Sequence, residues 1–581
     1  MNWTQVIDPF NNIALSALLA VLPILFIFWA LIIKKMKGYQ ASLIATTLAI
    51  IIAITAYGMP LKLAVLSTAN GALYGLFPIC WIVITAVFLF NITIKSGQFE
   101  IIKHFMASIT ADRRLQALLI AFSFGSFLEG TAGFGAPVAI TAAMLVGLGF
   151  NPLYAAGICL IANTAPVAFG SIGIPITVAS QVTAIPEMAI SQIVGRTLPI
   201  LSVVIPFYLV VIMAGFKKAL EVLPAIIVSG VMFALLQWSS SNFLGPALPD
   251  VIAGIGSILG LMLLLRFWQP KNIWRFDNEP APIINTDIHY TTSQIIRAWS
   301  PFILLTLFIM AWGTKPIKEV FNAIGTVQFE FPYLHNVILD KTGKSMPHIF
   351  KFNYLSAAGT AILLSAIVSI PLIGLKFKEA ITMFKETLIQ LKFPILTIMA
   401  VLGFAYIVND SGISLTLAEA LANTGFLFPF FAPILGWLGV FITGSDTSAN
   451  ALFGKLQAST ATSIGVDPVI TVGANVSGGV VGKMISPQSI AVAAAAGDLI
   501  GKESDLFRFT VKHSFIMLLL ICFIVLGQAY VFNWIVPKYQ MLVTNTAAII
   551  PDFTAGYTYL GVFVLLVVAF SATILLFNKK K

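Results

Sequence analysis

Stretches of apolar residues long enough to cross a lipid bilayer recur along almost the whole of this 581-residue chain. Ile13–Ile33, Phe515–Phe532 and Leu560–Phe577 are clear examples. Each is about 20 residues long, which as helix spans roughly 30 Å of hydrocarbon. Only 10% of the residues are charged, against roughly 25% in a soluble domain. With 59% hydrophobic residues and a mean hydropathy of +0.96, most of the chain must have lipid or other apolar segments around it. The sequence therefore predicts an all-α polytopic membrane protein.

About thirteen crossings are expected, near 12–33, 41–57, 76–94, 152–182, 187–214, 219–238, 243–265, 295–313, 352–374, 393–409, 467–497, 509–533 and 557–577. Two further segments, 114–149 and 426–463, have apolar arms interrupted by Gly, Thr, Ser and Pro. Each reads as a re-entrant helical hairpin that enters and leaves on one side. Basic residues cluster between the runs, at Lys34-Lys35-Lys37, Arg113-Arg114, Lys217-Lys218, Lys376-Lys378 and Lys579-Lys580-Lys581. With the N-terminus outside and the C-terminus inside, all five clusters fall on the cytoplasmic side, as the positive-inside rule requires. The net charge of +10 thus follows from topology and does not argue for nucleic acid. Asp8, not a basic cluster, precedes the first apolar run, so no signal peptide is expected. Cys80, Cys159 and Cys522 lie in apolar runs and read as small core residues.

An internal repeat divides the chain. Phe77-Pro78-Ile79 returns as Phe393-Pro394-Ile395 and Ser96-Gly97 as Ser411-Gly412. Phe127–Thr131 lines up with Phe441–Ser445, and Gly149-Phe150-Asn151-Pro152 with Gly465-Val466-Asp467-Pro468, all at offsets of 314 to 316. The charge-derived topology turns the two copies opposite ways. Inverted repeats with broken helices near the midplane are an architecture of secondary transporters. The organisation expected is N-terminal helices in 1–75, a first transport repeat in 76–240 and connecting helices in 241–375 with loops 266–294 and 314–351. A second repeat in 376–533 and a last loop and helix in 534–581 complete it.

Irregular backbone at membrane depth is tolerated only against protein or a wet cavity, so the breaks mark a candidate site. They are the tips Glu129–Gly135 and Gly444–Asn450, and the broken crossings from Asn163-Thr164-Ala165-Pro166 to Gly173-Ile174-Pro175 and from Ser477-Gly478-Gly479 to Ser486-Pro487. Each exposes the positive N-terminal end of a half-helix, with free N–H groups and nearby hydroxyls, which suits a carboxylate. Taken singly, each break also fits tight helix packing through small residues. The substrate-binding candidates are Gly130, Thr131, Gly133, Asn163, Thr164, Arg196, Ser445, Thr447, Ser448, Asn450, Ser477 and Lys483. Glu129 is 15 residues from Arg114, or about 22 Å of helix, and Asp446 is its counterpart in the other hairpin. Ionisable groups at such depth are functional candidates. Arg196 or Lys483 would balance an anion, and Glu129 or Asp446 would carry a coupling proton; mutual pairing of these four as buried ion pairs is the alternative. His104 and His513 read as interfacial. No phosphate-binding loop, metal-spaced cluster or nucleophile elbow is found, so neither an enzyme, nor a cofactor, nor a metal is expected. Without an ATP-binding domain, uphill transport would need an ion gradient.

The stretches Phe127-Leu-Glu-Gly-Thr-Ala-Gly-Phe-Gly-Ala-Pro137 and Gly444-Ser-Asp-Thr-Ser-Ala-Asn-Ala-Leu-Phe-Gly454 closely resemble the L-lactate permease family of bacteria and archaea. The resemblance extends over the chain, including Trp3 and Ile485-Ser-Pro-Gln-Ser489. It implies proton-coupled uptake of L-lactate, with D-lactate and glycolate as alternatives, across the cytoplasmic membrane. It also implies kinship with a wider superfamily whose members are dimers with a fixed scaffold and a moving transport domain. The residue-by-residue match gives a site role to Glu129–Gly133 and Ser445–Asn450, whereas Arg196 and Lys483 rest on depth. The other reading is a sodium-coupled carrier of dicarboxylates or other organic anions. Its relatives carry Ser-Asn-Thr at hairpin tips, and here only Ala162-Asn163-Thr164, in a crossing helix, approximates that signature.

Overall fold

Leu, Ile, Val, Phe and Ala fill the apolar runs, and in hydrocarbon a helix satisfies every backbone group within its own segment. The computed structural model describes residues 2–579 apart from 35, 132, 134, 278–287, 498, 500–501 and 542–552. Ala132 and Phe134 of the first tip, parts of the loops at 266–294 and 534–556, Lys35, and Lys580-Lys581 thus lie outside the described residues. Among the described residues, eleven helices are long and apolar enough to cross a membrane, twelve spans if Pro152–Ala162 and Val167–Thr183, bent by 63°, count as one. The chain is an all-α, multi-pass membrane protein.

The count differs from the expected thirteen for local reasons. The first run is divided into Ile13–Ala20, Leu22–Phe28 and a π-helical turn at Trp29–Ile33, with Pro23, which has no N–H to donate, at the junction. The run at 352–374 begins as strand, and its helix is only Ala358–Leu372. Conversely Gly425–Thr443, expected as a hairpin arm, has by length and composition the reach of a crossing. Asp446–Ser463 follows it directly and packs back against it.

Two of the repeated word pairs fall at turns and caps in similar successions of elements, whereas Phe393-Pro394-Ile395 lies within the continuous helix Phe377–Asp410. Trp81–Lys95 and Phe377–Asp410 are each followed by a short helix, Gln98–Ser108 and Ile413–Ala422. Gly97 (φ 74°) and Gly412 (φ 93°) make the two corners in a backbone conformation that side chains disfavour. Hairpins follow, then broken helices opened by Asn151-Pro152 and Asp467-Pro468. Asn151 accepts from the Leu153 N–H and Asp467 from the Val469 N–H, each at 3.0 Å, with proline in the first turn. Such caps contribute about 0.5–2 kcal/mol each.

Two expectations are refined. Arg113-Arg114 and Lys217-Lys218, both placed on the cytoplasmic side, are joined by a buried network. The Arg114 guanidinium bonds Asp112 (2.7 Å), Glu221 (2.8 Å) and the Lys218 carbonyl (2.9 Å), fixing the base of the first hairpin. The segment 314–351 is more ordered than a plain loop. It contains the helix Lys315–Ile324, and Val327–Glu330 pairs antiparallel with Ile349–Phe352. Trp3–Thr4 pairs in parallel with Ile338–Leu339, so the N-terminal segment and this one share a face.

Candidate functional site

All four breaks meet. The arm Gly125–Thr131 carries Glu129 in its last turn, and the return arm Ala136–Gly147 starts just past Gly135. In the second hairpin, Gly444 (φ 69°) ends Phe428–Thr443. Ser445 then caps Asp446–Ser463 by accepting from the Ser448 N–H at 3.2 Å. In the first broken helix the left-handed residues Ser171, Ile172 and Gly173 interrupt Gly170–Thr183. In the second, Lys483 ends Pro468–Lys483, and Ser486 caps Pro487–Ala496 through the Ser489 N–H at 3.2 Å. Between them lies a cavity of about 70 Å³ lined by Glu129, Gly135, Gly170, Ser171, Pro175, Gly444–Thr447, Lys483, Gln488, Ser489 and neighbouring valines. One buried water needs roughly 10–15 Å³ on the same measure, so the cavity holds a few waters or one small molecule.

Its charges are balanced unevenly. The Lys483 Nζ donates to Glu129 Oε1 at 2.6 Å, with the side chains 12% and 3% exposed. Lys483 in a last helical turn and Asp446 in a first turn both sit where the helix dipole favours their charge. Asp446 accepts from the Asn450 amide at 3.3 Å, and its other carboxyl oxygen has no hydrogen-bond partner, nor has the second oxygen of Glu129. Asn475 donates to Asn450 (2.8 Å) and Gln457 to Asn475 (3.2 Å), a buried amide chain that holds the Asp446 side of the site. Gly170 and Gly479 are where these carboxylates need space. A Cβ on Gly170 would stand 2.7 Å from Glu129 Oε1, and one on Gly479 would collide with Asp446 Oδ1. Gly478 and Gly482 do the packing anticipated for small residues, lying against the Pro433 and Trp437 carbonyls.

Of the residues expected from sequence, Glu129, Ser445, Asp446, Thr447 and Lys483 line the cavity. Asn450 stands directly behind Asp446, and Gly133 backs onto Ser171. Thr131 returns its hydroxyl to the Phe127 (3.1 Å) and Leu128 carbonyls, while Gly130 faces Asp250 and Val251. Asn163, Thr164 and Ser477 are buried near the breaks with an unpartnered side-chain oxygen each, but do not line the cavity. Ser448 lines a second cavity of about 840 Å³ that shares Ser445 and Gln488 with the first. Arg196 is not brought in. It donates to Asn242 Oδ1 at 2.8 Å and to the Ile535 carbonyl, beside a mostly apolar groove lined by Trp238 and Trp534. His513, expected at the interface, is buried and hydrogen-bonded to the Tyr208 hydroxyl at 2.6 Å. Sequence reasoning missed Ser171, Gln488 and Ser489 as cavity residues. Ser171 lies within a break already singled out, and the other two directly follow the break that ends at Pro487.

Among the described residues the cavity thus offers one cation, two carboxyl groups, several hydroxyls, an amide and two capped helix N-termini. That set suits a small carboxylate with a neighbouring hydroxyl, held by charge at one end and by hydrogen bonds at the other.

Comparison with known proteins agrees. The family model described as L-lactate permease matches residues 16–532. An L-lactate permease of Bacillus subtilis is 57% identical over 92% of this chain and all of its own length. The glycolate permease GlcA of Escherichia coli is 52% identical, covering 92% of this chain and 99% of its own. An L-lactate permease of Escherichia coli is 51% identical over 92% of this chain and its own full length. Matched by that family model and these relatives over nearly all its length, this chain belongs to the L-lactate permease family.

Proposed function

We propose that this protein is a symporter of the cytoplasmic membrane that carries L-lactate, and also D-lactate and glycolate, into the cell together with a proton. The observation that carries this reading is the 2.6 Å Lys483–Glu129 pair inside the cavity formed by all four helix breaks. The names of the relatives, permeases of L-lactate and of glycolate, support the substrate class.

The pair supplies a coupling mechanism. An arriving carboxylate takes Lys483 from Glu129, whose charge is then left buried without compensation. Breaking a buried pair in this way costs about 3–5 kcal/mol, and a proton on Glu129 removes that cost. Substrate anion and proton therefore enter as a neutral couple, and neither is stably bound alone. Asp446, with one carboxyl oxygen free, is the second proton candidate of the site. Ser445, Thr447, Ser489 and Gln488 provide hydrogen bonds for the substrate carboxylate and 2-hydroxyl. The larger cavity, which reaches Met36 and Glu503, serves as the route to the side on which those residues lie, the cytoplasm in the topology with the N-terminus outside. Inverted repeats, a moving transport unit and a homodimer complete the proposal.

The test is uptake of radiolabelled L-lactate into proteoliposomes under an inward proton gradient or an inward sodium gradient. Accumulation with protons alone is the expected result. Accumulation with sodium alone would replace this reading by the sodium-coupled one.

A further inference from the structure

Asp250 is the ionisable group near the site that the mechanism above does not use. It lies in the first turn of Pro249–Phe267, outside the two expected repeats 76–240 and 376–533. It is 1% exposed, and neither carboxyl oxygen has a hydrogen-bond partner. It faces the tip of the first hairpin so closely that a Cβ on Gly130, the neighbour of Glu129, would stand 2.8 Å from the Asp250 Cβ. Glu129, one residue from that contact, holds the Lys483 ammonium at 2.6 Å. From Leu223–Phe243, the other long helix packed on this span, comes the neutral Gln237, whose amide donates to the Ala165 carbonyl at 3.0 Å and also acts on the Asp250 carboxyl at longer range. From the first hairpin arm come apolar residues and Ser123, paired with Ser257 at 2.7 Å.

We infer that Asp250 is a further proton-binding carboxyl of the transport site, through which the coupling proton travels to or from Glu129. Three buried carboxyl groups, Glu129, Asp446 and Asp250, lie in or against the hairpin tips, where Lys483 is the only cation lining the cavity among the described residues. Lys483 compensates one of them, and a second uncompensated charge would cost several kcal/mol, so the others hold protons. Asp250 can exchange its proton because opposing effects meet there. Burial opposes a charge, while the helix N-terminus, the Gln237 amide and Lys483 favour one. Its position gives the proton a direction. Asp250 is next to Gly130 on one side, and on the other follows the short connection 244–248 at the start of its helix. The larger cavity that reaches the site through Ser445 and Gln488 lies on the side of the second hairpin. Proton and substrate thus have separate approaches to one lysine–glutamate pair. No bond other than O–H changes in the step: a proton leaves one carboxyl group and binds the other.

This inference rests on the symport reading, and the experiment separates the two. Wild type, Asp250→Asn and Asp250→Glu are reconstituted into proteoliposomes. Lactate counterflow at equal pH on both sides is compared with accumulation driven by a proton gradient. In the expected result Asp250→Asn keeps wild-type counterflow and loses proton-driven accumulation, and Asp250→Glu restores part of it. Accumulation by Asp250→Asn with the wild-type rate and pH profile would overturn the inference. Loss of counterflow as well, in protein with a wild-type elution profile, would also overturn it by making Asp250 part of the substrate site. Asp250→Ser is read by the same criteria if Asp250→Asn cannot be purified, and failure of both to fold would assign the residue to structure. Wild-type protein indifferent to the proton gradient would instead refute the symport reading, whatever the variants do.

Discussion

Lys483→Met tests both halves of the argument about the buried pair. The substitution keeps most of the side-chain volume and removes the only cation lining the cavity among the described residues. Glu129, 3% exposed and with its second oxygen unpartnered, then has no compensating charge. Losing one member of such a pair destabilises by about 3–5 kcal/mol. Adding Glu129→Gln removes the stranded charge, and replacement of both members is close to neutral, so the double variant regains most of that stability. Lactate binding must follow a different course. In both variants the substrate carboxylate lacks its cation, a loss of about 2–5 kcal/mol, or roughly 30-fold to several-thousand-fold in affinity. Thermal unfolding of the purified proteins and binding of radiolabelled lactate measure the two quantities separately. The reasoning predicts stability rescued without binding. Lactate bound by Lys483→Met at wild-type affinity, or binding recovered in the double variant, would refute it.

Three more outcomes follow. Gly479→Ala drives a methyl group into the Asp446 carboxylate, so it should cost about 1–3 kcal/mol of stability and abolish uptake, whereas Gly465→Ala, at a turn with nothing nearby but a φ of 74°, should retain uptake. Arg196→Gln should leave lactate affinity unchanged, because Arg196 bonds Asn242 and Ile535 away from the cavity; a large loss in the binding assay would return Arg196 to the substrate site. The third concerns His348, in the segment 314–351. Burial alone would lower its pKa, but the Asp410 charge and hydrogen bond (3.0 Å) and the Met346 carbonyl (3.1 Å) together hold the imidazolium above its usual range. With the folded value raised, its stabilisation is complete below the unfolded pKa of about 6.5 and lost as pH rises through the folded value. Amide protection factors in Val327–Glu330 and Ile349–Phe352, with the intrinsic pH dependence of exchange divided out, should therefore be larger at about pH 6 than at about pH 8.5, and His348→Gln should erase that difference.

How much of this was legible in the sequence depends on the kind of signal. Apolar runs and basic clusters report the solvent around each segment, so most crossings were readable. The exceptions were local: Pro23 divides the first run, and Ile349–Phe352 takes the start of another into a strand. The turn words of the repeat marked the breaks because glycine conformations and Asn or Asp caps are local requirements. Lys483, Glu129 and Asp446 were found because charge at membrane depth is conspicuous. The same criterion also selected Arg196, since depth along a helix says nothing about which side of it faces the cavity. Asp250 was passed over for the opposite reason. It follows a loop and a proline, where an acidic residue looks like an ordinary helix start. Its contact with the Glu129 tip, 120 residues earlier in the chain, is tertiary.

The central claim, that a substrate carboxylate displaces Glu129 from Lys483 and obliges it to take a proton, is tested most directly by counting protons on binding. Purified protein in weakly buffered detergent solution is mixed with L-lactate at neutral pH, and the pH is followed with a dye. The account predicts uptake of about one proton per lactate bound, and none in Glu129→Gln despite retained binding. Lactate bound by the wild-type protein with no change in pH would contradict it.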